Sequence, residues 1–366
     1  MRIAIAGSRG VPANYGGFET FAAELGARLV ERGHDVTVYC RATSYGRDER
    51  APEWRGIRRV MISAPKGKHL ETVASTLLAM LHVTFRRRAD AVILVNGINA
   101  FAAWLPRLVG TPVYLNVDGI ERQRDKWGKL AKAAYFISEF LAKYTATSII
   151  SDAEVVAAYY RERHHVGSTV IGYGAPVQRQ PDVDILATLG LEPDKYVLYV
   201  SRLEPENNAH QVVEAYRSVE SDLPLVVVGD APYADTYKKQ VRSLAAMDKR
   251  VLMMGAVYGP GYRALQEGAR VYVQATSVGG THPALVEAMG AGNAVLANDT
   301  PEHHEVLVGA GAYYQGVAEM TQQLQALLED SDRCRKLGDA AQREVRQRFS
   351  WEAVTTEYER LLGARS

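Results

Sequence analysis

The stretch Val271–Ala297 reads VYVQATSVGGTHPALVEAMGAGNAVLA, and it holds the pattern from which the fold is predicted. Its β-rich ends, Val271–Gln274 and Ala294–Ala297, predict two strands, and Leu285–Met289 between them predicts a helix. A glycine pair leads into Pro283, a residue that is well tolerated in the first turn of a helix. Strand, helix and strand in this order predict a βαβ unit with parallel strands.

The same alternation extends over the chain. Further strands are predicted at Arg2–Ala6, Val36–Tyr39, Ala91–Val95, Pro112–Asn116, Ser148–Ile150, Tyr196–Val200, Leu225–Val228 and Val251–Met254. Helices are predicted at Phe18–Arg32, His210–Val219 and Arg348–Gly363, the last with Ser350 as its N-cap. Glycine and proline crowd Gly172–Pro181, which predicts an interdomain linker. We therefore expect an α/β protein with two consecutive doubly wound, Rossmann-like parallel-sheet domains.

Composition excludes several classes of function. The chain has 366 residues, enough for two α/β domains, and a net charge of +1, which does not indicate nucleic-acid binding. Its two cysteines, Cys40 and Cys334, lack metal-ligand spacing, so we expect reduced, buried thiols in a cytoplasmic protein. Arg2 interrupts any apolar leader, so no signal peptide is expected.

The longest apolar run, Val73–Phe85, is too short to span a bilayer. Arg86, Arg87 and Arg88 follow it. One interpretation is a core helix with cations at its C-terminus. The other is a basic rim that meets anionic lipid head groups.

Two loops in the first half combine glycine, charge and aromatic residues. Gly7–Glu19, read as GSRGVPANYGGFE, follows the first strand, and its glycine pair Gly16-Gly17 would let backbone amides approach a ligand. A tight βα turn without a ligand is the alternative. Asn116–Trp127, read as NVDGIERQRDKW, follows a buried strand at the edge where open α/β sheets bind ligands. A salt-bridged surface loop is the alternative there.

Two further motifs lie in the second half. In Val200–Asn208, VSRLEPENN, Arg202 follows the strand end directly, and its guanidinium suits a phosphate. In Ser277–Gly292, the glycine pair and Pro283 form a helix N-terminus of the kind that binds anions. Glu287 follows about one turn later, where a carboxylate can accept hydrogen bonds from the vicinal hydroxyls of a ribose.

Together these two motifs resemble the retaining family-4 glycosyltransferases with the GT-B fold, from Met1 to about Leu362. The runs GSRGVPANYGGFET and VDGIERQRDKW resemble more narrowly a bacterial subfamily that contains rhamnosyltransferases of surface-polysaccharide assembly. The resemblance implies an acceptor-binding domain over 1–175 and a nucleotide-sugar-binding domain over 176–349, facing each other across a cleft. It also implies that a helix over 350–366 packs back on the first domain.

The resemblance also implies roles for individual residues. Arg202 matches the pyrophosphate-binding arginine, and Glu287 matches the glutamate that holds the ribose. The expected donor-binding residues are Gly16, Gly17, Arg202, Asn207, Gly255, Ala256, Val257, Gly280, Thr281, His282 and Glu287. The expected acceptor-binding residues are Tyr15, Phe18, Glu19, Asp118, Glu121, Arg122, Arg124, Lys126 and Trp127. The expected catalytic residues are Asp118, Arg202 and Glu287.

Three positions depart from the family pattern. Gly279 stands where the first glutamate of Glu-x7-Glu is expected, Asn207 where a lysine is expected, and Asp118 where a histidine is expected. These changes remove positive charge near the phosphates and reshape the sugar pocket. They favour an unusual donor sugar such as a 6-deoxyhexose.

From this resemblance we expect a retaining glycosyltransferase that moves L-rhamnose from dTDP-β-L-rhamnose to a sugar on a lipid diphosphate, by same-face attack. Asp118 would orient or deprotonate the acceptor hydroxyl. We expect a cytoplasmic protein in peripheral contact with anionic membrane. No cofactor and no metal ion are expected, because Asp182-Val-Asp184 lies in the predicted linker rather than at a strand end.

Four alternatives remain open. A UDP- or GDP-sugar could be the donor, with another acceptor. A nucleotide-sugar 2-epimerase would need no acceptor. An NAD(P)-dependent oxidoreductase would need a complete dinucleotide fingerprint, which the sequence lacks. A non-catalytic sugar-binding protein would bind nucleotide without turnover.

Overall fold

The computed structural model describes residues 1–13, 16–65, 70–86, 88–117, 119–120, 122, 128–231 and 234–363. These residues form two compact units. Unit 1 comprises the described chain up to Gly172 together with the chain from Val354 onward. Unit 2 comprises the described residues of Tyr173–Ala353.

Unit 1 contains an eight-stranded sheet. Its strands are β1 (Arg2–Ala6), β2 (Asp35–Arg41), β3 (Glu53–Trp54), β4 (Ile57–Ile62), β5 (Ala91–Val95), β6 (Val113–Val117), β7 (Ser148–Ser151) and β8 (Thr169–Val170). They lie in the order β3-β4-β2-β1-β5-β6-β7-β8. All neighbours are parallel except β3 and β4. From β1 the chain proceeds to β2 on one side of the sheet, and from β5 it proceeds to β6 on the other side, so the order of the strands reverses between β1 and β5.

The helices of unit 1 are α1 (Gly17–Glu31), α2 (Leu70–Phe85), α3 (Trp104–Arg107), α4 (Lys129–Thr145) and α5 (Glu154–His164). Short 3₁₀ helices occur at Ala42–Ser44, Arg47–Glu49 and Gly97–Ala102. Side chains of α2 to α5 share one core cluster with the sheet, including Met80, Val83, Ala142 and Tyr160. The crossover from β1 to β2 runs in the opposite direction to the crossover from β5 to β6. Because both are right-handed, α1 covers the face of the sheet opposite to the one covered by α2 to α5.

Unit 2 contains a six-stranded parallel sheet. Its strands are β9 (Val197–Val200), β10 (Leu225–Val228), β11 (Val251–Gly255), β12 (Val271–Gln274), β13 (Ala294–Asn298) and β14 (Ala312–Tyr314), in the order β11-β10-β9-β12-β13-β14. Its helices are α6 (Val183–Thr188), α7 (Ala209–Arg217), α8 (Asp235–Ala245), α9 (Gly259–Gly268), α10 (Pro283–Gly290), α11 (Pro301–Leu307), α12 (Gly316–Glu329) and α13 (Ser331–Glu344). A 3₁₀ turn occupies Pro205–Asn207, and a π turn occupies Val345–Phe349. Two buried apolar clusters sandwich the sheet.

The last helix, α14 (Trp351–Gly363), begins in unit 2 and ends in unit 1. Ser350 Oγ accepts from the Ala353 amide at 3.2 Å, which confirms the predicted N-cap. In unit 1, the fully buried Tyr358 packs against Phe21 with ring centroids 5.3 Å apart. Its hydroxyl accepts from Asn116 Nδ2 at 2.6 Å. The end of the chain therefore completes the core of the unit with which the chain begins.

The expected fold class is confirmed, since both units are parallel α/β sheets of Rossmann type. The predicted buried thiols are also confirmed, because Cys40 and Cys334 are both free and buried. Four strands were not predicted, namely β3, β4, β8 and β14. Two of these contain only two residues each. β4 carries Arg58 and Arg59 in its middle, which obscures its apolar pattern.

Two predictions need correction. Asp182–Asp184 is not a plain linker, because Asp182 caps α6 and its Oδ1 accepts from the Ile185 amide at 3.0 Å. The helix over Val73–Phe85 is buried on one side only. In α2 the side chains of Met80 and Val83 are buried, whereas Phe85 is 68% exposed. Among the described residues, no helix has both the length and the apolar character needed to cross a membrane.

Candidate active site

The two motifs of the second half meet at the topological switch point of unit 2. β9 and β12 are neighbours in the sheet, and the chain proceeds from them in opposite directions, to β10 on one side and β13 on the other. Open α/β sheets bind ligands at the carboxyl edge of such a point. The loop after β9 carries Arg202, and the loop after β12 carries Gly279–His282. The topology therefore brings the two predicted phosphate-binding segments to one place.

Asn208 joins these two loops. Its backbone is left-handed, with φ of 57°, and its Nδ2 donates to the Ala275 carbonyl at 2.8 Å and to Ser277 Oγ at 2.6 Å. The Ser277 amide in turn donates to the Glu206 carbonyl at 3.0 Å. Asparagine is among the few residues that adopt the left-handed conformation readily. The loops are thus held at a fixed spacing by one side chain and one backbone bond.

Arg202 leaves its guanidinium open to solvent. The side chain is 46% exposed, and Glu204 Oε2 lies 3.8 Å from its Nη2. An exposed pair of this kind contributes little to stability. The cation is therefore available to an anionic ligand at the carboxyl end of β9.

The side-chain amide of Asn207 is hydrogen-bonded within its own loop. Its Nδ2 donates to the Arg202 carbonyl at 2.7 Å, and its own carbonyl accepts from the Tyr199 hydroxyl at 2.7 Å. The residue is almost fully buried. Its side chain thus supports the backbone at Arg202, at the position where the family pattern has a lysine.

The loop after β12 ends at the N-terminus of α10. His282 is the N-cap and Pro283 occupies the first turn, as predicted, while Gly280 and Thr281 are buried. Gly279 has φ of 151°, and a Cβ placed on it would lie 2.5 Å from His282 Cε1. The imidazole therefore fills the space that a side chain at position 279 would need. A helix N-terminus of this kind is suited to an anion.

Glu287 is held by a tyrosine that the sequence motifs did not indicate. The Tyr262 hydroxyl on α9 donates to Glu287 Oε2 and accepts from Gln266 Nε2 at 2.9 Å. Burial, and then the neighbouring Glu287 carboxylate, raise the pKa of Tyr262 well above its usual value. Tyr262 therefore stays protonated and fixes the direction of the carboxylate.

A buried histidine lies behind His282. The rings of His282 and His303 have centroids 5.6 Å apart. His303 Nδ1 donates to the Asn298 carbonyl at 2.7 Å, and burial lowers the pKa of His303 to about 4. Its Nε2 has no hydrogen-bond partner among the described residues. The ring next to the α10 N-terminus is thus neutral at physiological pH.

The predicted base-binding edge lies at the end of β11. Gly255 has φ of 68°, and its carbonyl accepts from the Gly229 amide at 2.7 Å. Ala256 is exposed, and Val257 packs partly against the core. This segment presents backbone and small side chains at the same sheet edge as Arg202.

In unit 1, the loop after β1 lies at the other switch point, between β1 and β5. Gly16 is the N-cap of α1, and Phe18 is partly buried. Glu19 is buried, and its Oε1 accepts from the Arg9 amide at 2.8 Å. Burial raises the pKa of the Glu19 carboxyl. Arg41, which was not predicted, donates from Nη2 to the Gly7 carbonyl at 3.4 Å and brings a cation to this loop.

Arg122 is already engaged within unit 1. Its Nη2 donates to the Tyr159 hydroxyl at 2.8 Å, and its guanidinium lies 5.7 Å from the Phe136 ring centroid. The Tyr159 hydroxyl donates to the buried Glu139 carboxylate at 2.8 Å, and His164 Nε2 lies 3.3 Å from the same oxygen. This cluster joins α4 to α5, so Arg122 has a structural role beside any contact with an acceptor.

The remaining predicted acceptor residues are Tyr15, Asp118, Glu121, Arg124, Lys126 and Trp127, and they lie outside the described residues. Within the described residues, no group of three or more His, Cys, Asp or Glu side chains is arranged to hold a metal ion.

Solved structures share the fold of the whole chain. Sucrose-phosphate synthase from Thermosynechococcus elongatus aligns with a TM-score of 0.84 and 20% identity, covering 100% of each chain. The Anabaena protein HepE, solved with UDP-glucose, aligns with a TM-score of 0.79 and 16% identity, again over 100% of each chain. Both likenesses concern the fold.

Two curated relatives show weaker sequence similarity. Alpha-maltose-1-phosphate synthase of Mycolicibacterium smegmatis is 24% identical over 388 residues, which covers 96% of each protein. Alpha-monoglucosyldiacylglycerol synthase of Streptococcus pneumoniae is 27% identical over 157 residues, or 41% of this chain. The chain spans only 35% of the length of that second relative.

Two family models divide the chain between them. Residues 1–176 match a domain of unknown function, DUF1972, and residues 185–344 match the glycosyl transferases group 1. The matches confirm the coarser expectation of glycosyltransferase activity. The chain therefore has the GT-B fold, and its residues 185–344 are similar to the glycosyl transferases group 1.

Proposed function

We propose that the chain is a retaining glycosyltransferase that transfers L-rhamnose from dTDP-β-L-rhamnose to a sugar on a lipid diphosphate. The proposal of a nucleotide-sugar donor rests on the arrangement of residues at the β9–β12 switch point. The exposed guanidinium of Arg202 follows β9, and the N-terminus of α10 and the Tyr262-bound Glu287 follow β12, the neighbouring strand. The complex of HepE with UDP-glucose supports the same class of donor.

The proposed chemistry assigns each group a task. Glu287 accepts hydrogen bonds from the ribose hydroxyls, while the amides at Gly280 and Thr281 bind the diphosphate. Arg202 stabilises the charge that grows on the leaving phosphate as the bond to the sugar breaks, an interaction that lowers the barrier because it strengthens in the transition state. In the retaining route, the acceptor hydroxyl attacks from the same face and gives its proton to the leaving phosphate oxygen. Asp118 orients that hydroxyl.

The choice of rhamnose rests on the sugar end of the site. The imidazole of His282 occupies the space beside Gly279, and Asn207 turns its amide into its own loop. The site therefore has neither the carboxylate nor the lysine of the usual family pattern at these two positions. A 6-deoxyhexose has one hydroxyl fewer to satisfy, so it tolerates the loss of a polar partner better than glucose does.

Glucose transfer from UDP-glucose is the second candidate. The curated relatives favour it, because they include an alpha-maltose-1-phosphate synthase and an alpha-monoglucosyldiacylglycerol synthase. A 2-epimerase on the same fold would consume its donor without any acceptor.

One donor panel separates these functions. The purified full chain is incubated with dTDP-rhamnose, UDP-glucose or UDP-N-acetylglucosamine, each with and without a polyprenyl-diphosphate sugar. We expect acceptor-dependent transfer from dTDP-rhamnose, with retained anomeric configuration in the product by NMR. If transfer occurs only from UDP-glucose, the donor sugar is glucose and not rhamnose. Donor consumption without any acceptor would indicate the epimerase.

A further inference from the structure

The outer surface of unit 1 carries most of the exposed large hydrophobic side chains of the described chain. Ten of the sixteen lie on or directly beside α2, α3 and α4. They are Val73, Leu77, Leu78 and Phe85 on α2, Trp104 and Leu108 at α3, and Phe136, Ile137, Phe140 and Tyr144 on α4. Scattered single exposures are ordinary, but a concentration of this size on one surface indicates a binding surface.

On α4 the exposed residues form a stripe. Phe136, Ile137, Phe140 and Tyr144 are spaced as i, i+3 or i+4, so they share one side of the helix. Their exposed fractions range from 38% to 60%. The opposite side is buried, where Ser138 Oγ donates to the Gly97 carbonyl at 2.7 Å. The helix is therefore firmly seated, and the side chains of its apolar stripe remain partly exposed.

The three helices are linked by packing and by hydrogen bonds. α4 packs against the 3₁₀ helix Gly97–Ala102, and α2 packs against that helix and against α3. Arg107 at the end of α3 donates to the carbonyls of Tyr144 and Thr145 at the end of α4, at 2.7 and 3.0 Å. The exposed side chains of α2, α3 and α4 thus lie on neighbouring elements of one layer. We call this surface the α2–α4 face.

Cations accompany the apolar residues. Lys143 Nζ lies 4.7 Å from the Phe140 ring centroid and 4.8 Å from that of Tyr144. Lys129 and the arginines at 86 and 88 are exposed as well. The helices α2, α3 and α4 contain two acids in total. Glu139 is buried, and Glu71 accepts from the Thr43 hydroxyl at the start of α2.

We propose that the α2–α4 face docks on an anionic lipid bilayer, with the α4 stripe inserted at the level of the head groups. Helices that lie in the membrane interface have this composition, with aromatic and aliphatic residues on one side and lysine beside them. Exposed Trp104 and Tyr144 suit the boundary between water and lipid. A protein interface fits less well, because lysine is depleted in protein–protein contacts.

The inference deepens the proposed function and rests on it for the lipid-linked acceptor. β6 ends at Val117 and α4 begins at Lys129, so the predicted acceptor loop is the connection between them. A bilayer bound at α4 would therefore contact the element that directly follows the predicted acceptor loop in the chain. The charges of such a surface attract cations within a Debye length, so binding should weaken with salt.

The test is co-sedimentation of the purified full chain with vesicles of phosphatidylcholine, with or without phosphatidylglycerol. We expect binding to the anionic vesicles that salt weakens. The double variant Ile137→Glu with Phe140→Glu should lower vesicle affinity on the order of a hundredfold, because two apolar insertions are lost. Trp104→Ala should lower it severalfold. Met247→Glu, at an exposed apolar residue of unit 2, is the matched control and should bind like the wild type.

The thermal shift induced by nucleotide sugar reports on unit 2 and should be unchanged in the double variant. Unimpaired vesicle binding by that variant would overturn the proposal, as would absence of wild-type binding. The proposal would also be overturned if analytical ultracentrifugation showed a dimer for the wild type and a monomer for the double variant. A second copy of the chain would then occupy the α2–α4 face. A wild type that binds vesicles but transfers no sugar from any donor would instead contradict the proposed function.

Discussion

Asn208 donates from its amide nitrogen to the Ser277 hydroxyl at 2.6 Å, so one side chain joins the loops that follow β9 and β12. The two loops carry Arg202 and the N-terminus of α10. Their spacing decides whether both can contact one diphosphate. The bond therefore has a consequence for donor binding as well as for stability.

Asn208→Gly keeps the left-handed backbone without steric cost, but it loses the two hydrogen bonds that Nδ2 donates and the one that Oδ1 accepts from Gln211 at 3.3 Å. We expect the free energy of unfolding to fall by about 1–3 kcal/mol and the KM for donor to rise severalfold. Ser277→Ala removes only one of these bonds and should have a smaller effect. A double-mutant cycle in urea should give a coupling of about 1 kcal/mol. Full additivity would show that the two side chains do not support each other.

Glu287→Ala should weaken nucleotide binding by at least about a hundredfold, since each of the two hydroxyl hydrogen bonds to this charged acceptor contributes roughly 1.5–3 kcal/mol. Tyr262→Phe leaves the carboxylate but removes the hydroxyl that directs it. We expect a loss of about three- to tenfold for that variant. Isothermal titration calorimetry with the nucleoside diphosphate measures both, and Glu192→Ala, at an exposed loop residue, is the control. Equal affinity in Glu287→Ala and the wild type would remove Glu287 from the donor site.

Arg202→Ala should lower kcat by about 100- to 1,000-fold, because its guanidinium meets charge that develops only as the bond to the sugar breaks. Stability and free-nucleoside binding should change little, since the side chain is 46% exposed. Arg202→Lys should recover part of the rate. Arg217→Ala, at an exposed arginine on α7, is the control. Turnover that survives in Arg202→Ala would assign charge stabilisation to other groups.

His303 predicts a pH dependence of stability. Its pKa in the folded chain is about 4, below the ordinary value of 6.5, so the unfolded chain takes up the proton first as pH falls. The free energy of unfolding should therefore decrease between pH 6.5 and pH 4, with about 3 kcal/mol of this loss due to His303. Denaturant titrations across this range should show a shallower slope for His303→Gln. The same substitution at the exposed His304 should not reproduce that change, and identical slopes for wild type and His303→Gln would contradict the assignment.

Transfer activity should survive chelation, because Arg202 and the α10 N-terminus provide a phosphate site without a metal ion. The measurement compares initial rates with and without EDTA, after dialysis. Inactivation by EDTA that magnesium or manganese restores would show that a metal ion takes part.

The sequence predicted features that depend on neighbours along the chain. The glycine pair, Pro283 and Glu287 lie within one loop and helix, so their spacing alone placed them at the start of α10. Tyr262 lies 25 residues before Glu287 in sequence. Its contact depends on how α9 packs against α10, which a local pattern does not encode. The motif likewise located Asn207, but only the structure shows its amide turned toward the Arg202 carbonyl.

The α2 helix also shows what a local sequence pattern does not encode. Its apolar run indicated burial, yet composition does not tell which side of a helix faces the sheet. Met80 and Val83 are buried, while Leu77 and Phe85 are exposed. The mainly apolar run of thirteen residues within this helix therefore gave no signal for its exposed side.

The shared helix α14 has a consequence for how the chain folds during synthesis. Unit 1 emerges from the ribosome first, but Tyr358, which fills its core beside Phe21, is made only after the whole of unit 2. At roughly 5–20 residues per second, the intervening stretch of about 180 residues delays that closure by roughly ten to forty seconds. Throughout this interval the nascent unit 1 exposes apolar surface that α14 will later cover. Most of unit 1 is thus synthesised before unit 2, but unit 1 is completed after it, and its nascent form leaves apolar surface for a chaperone to protect.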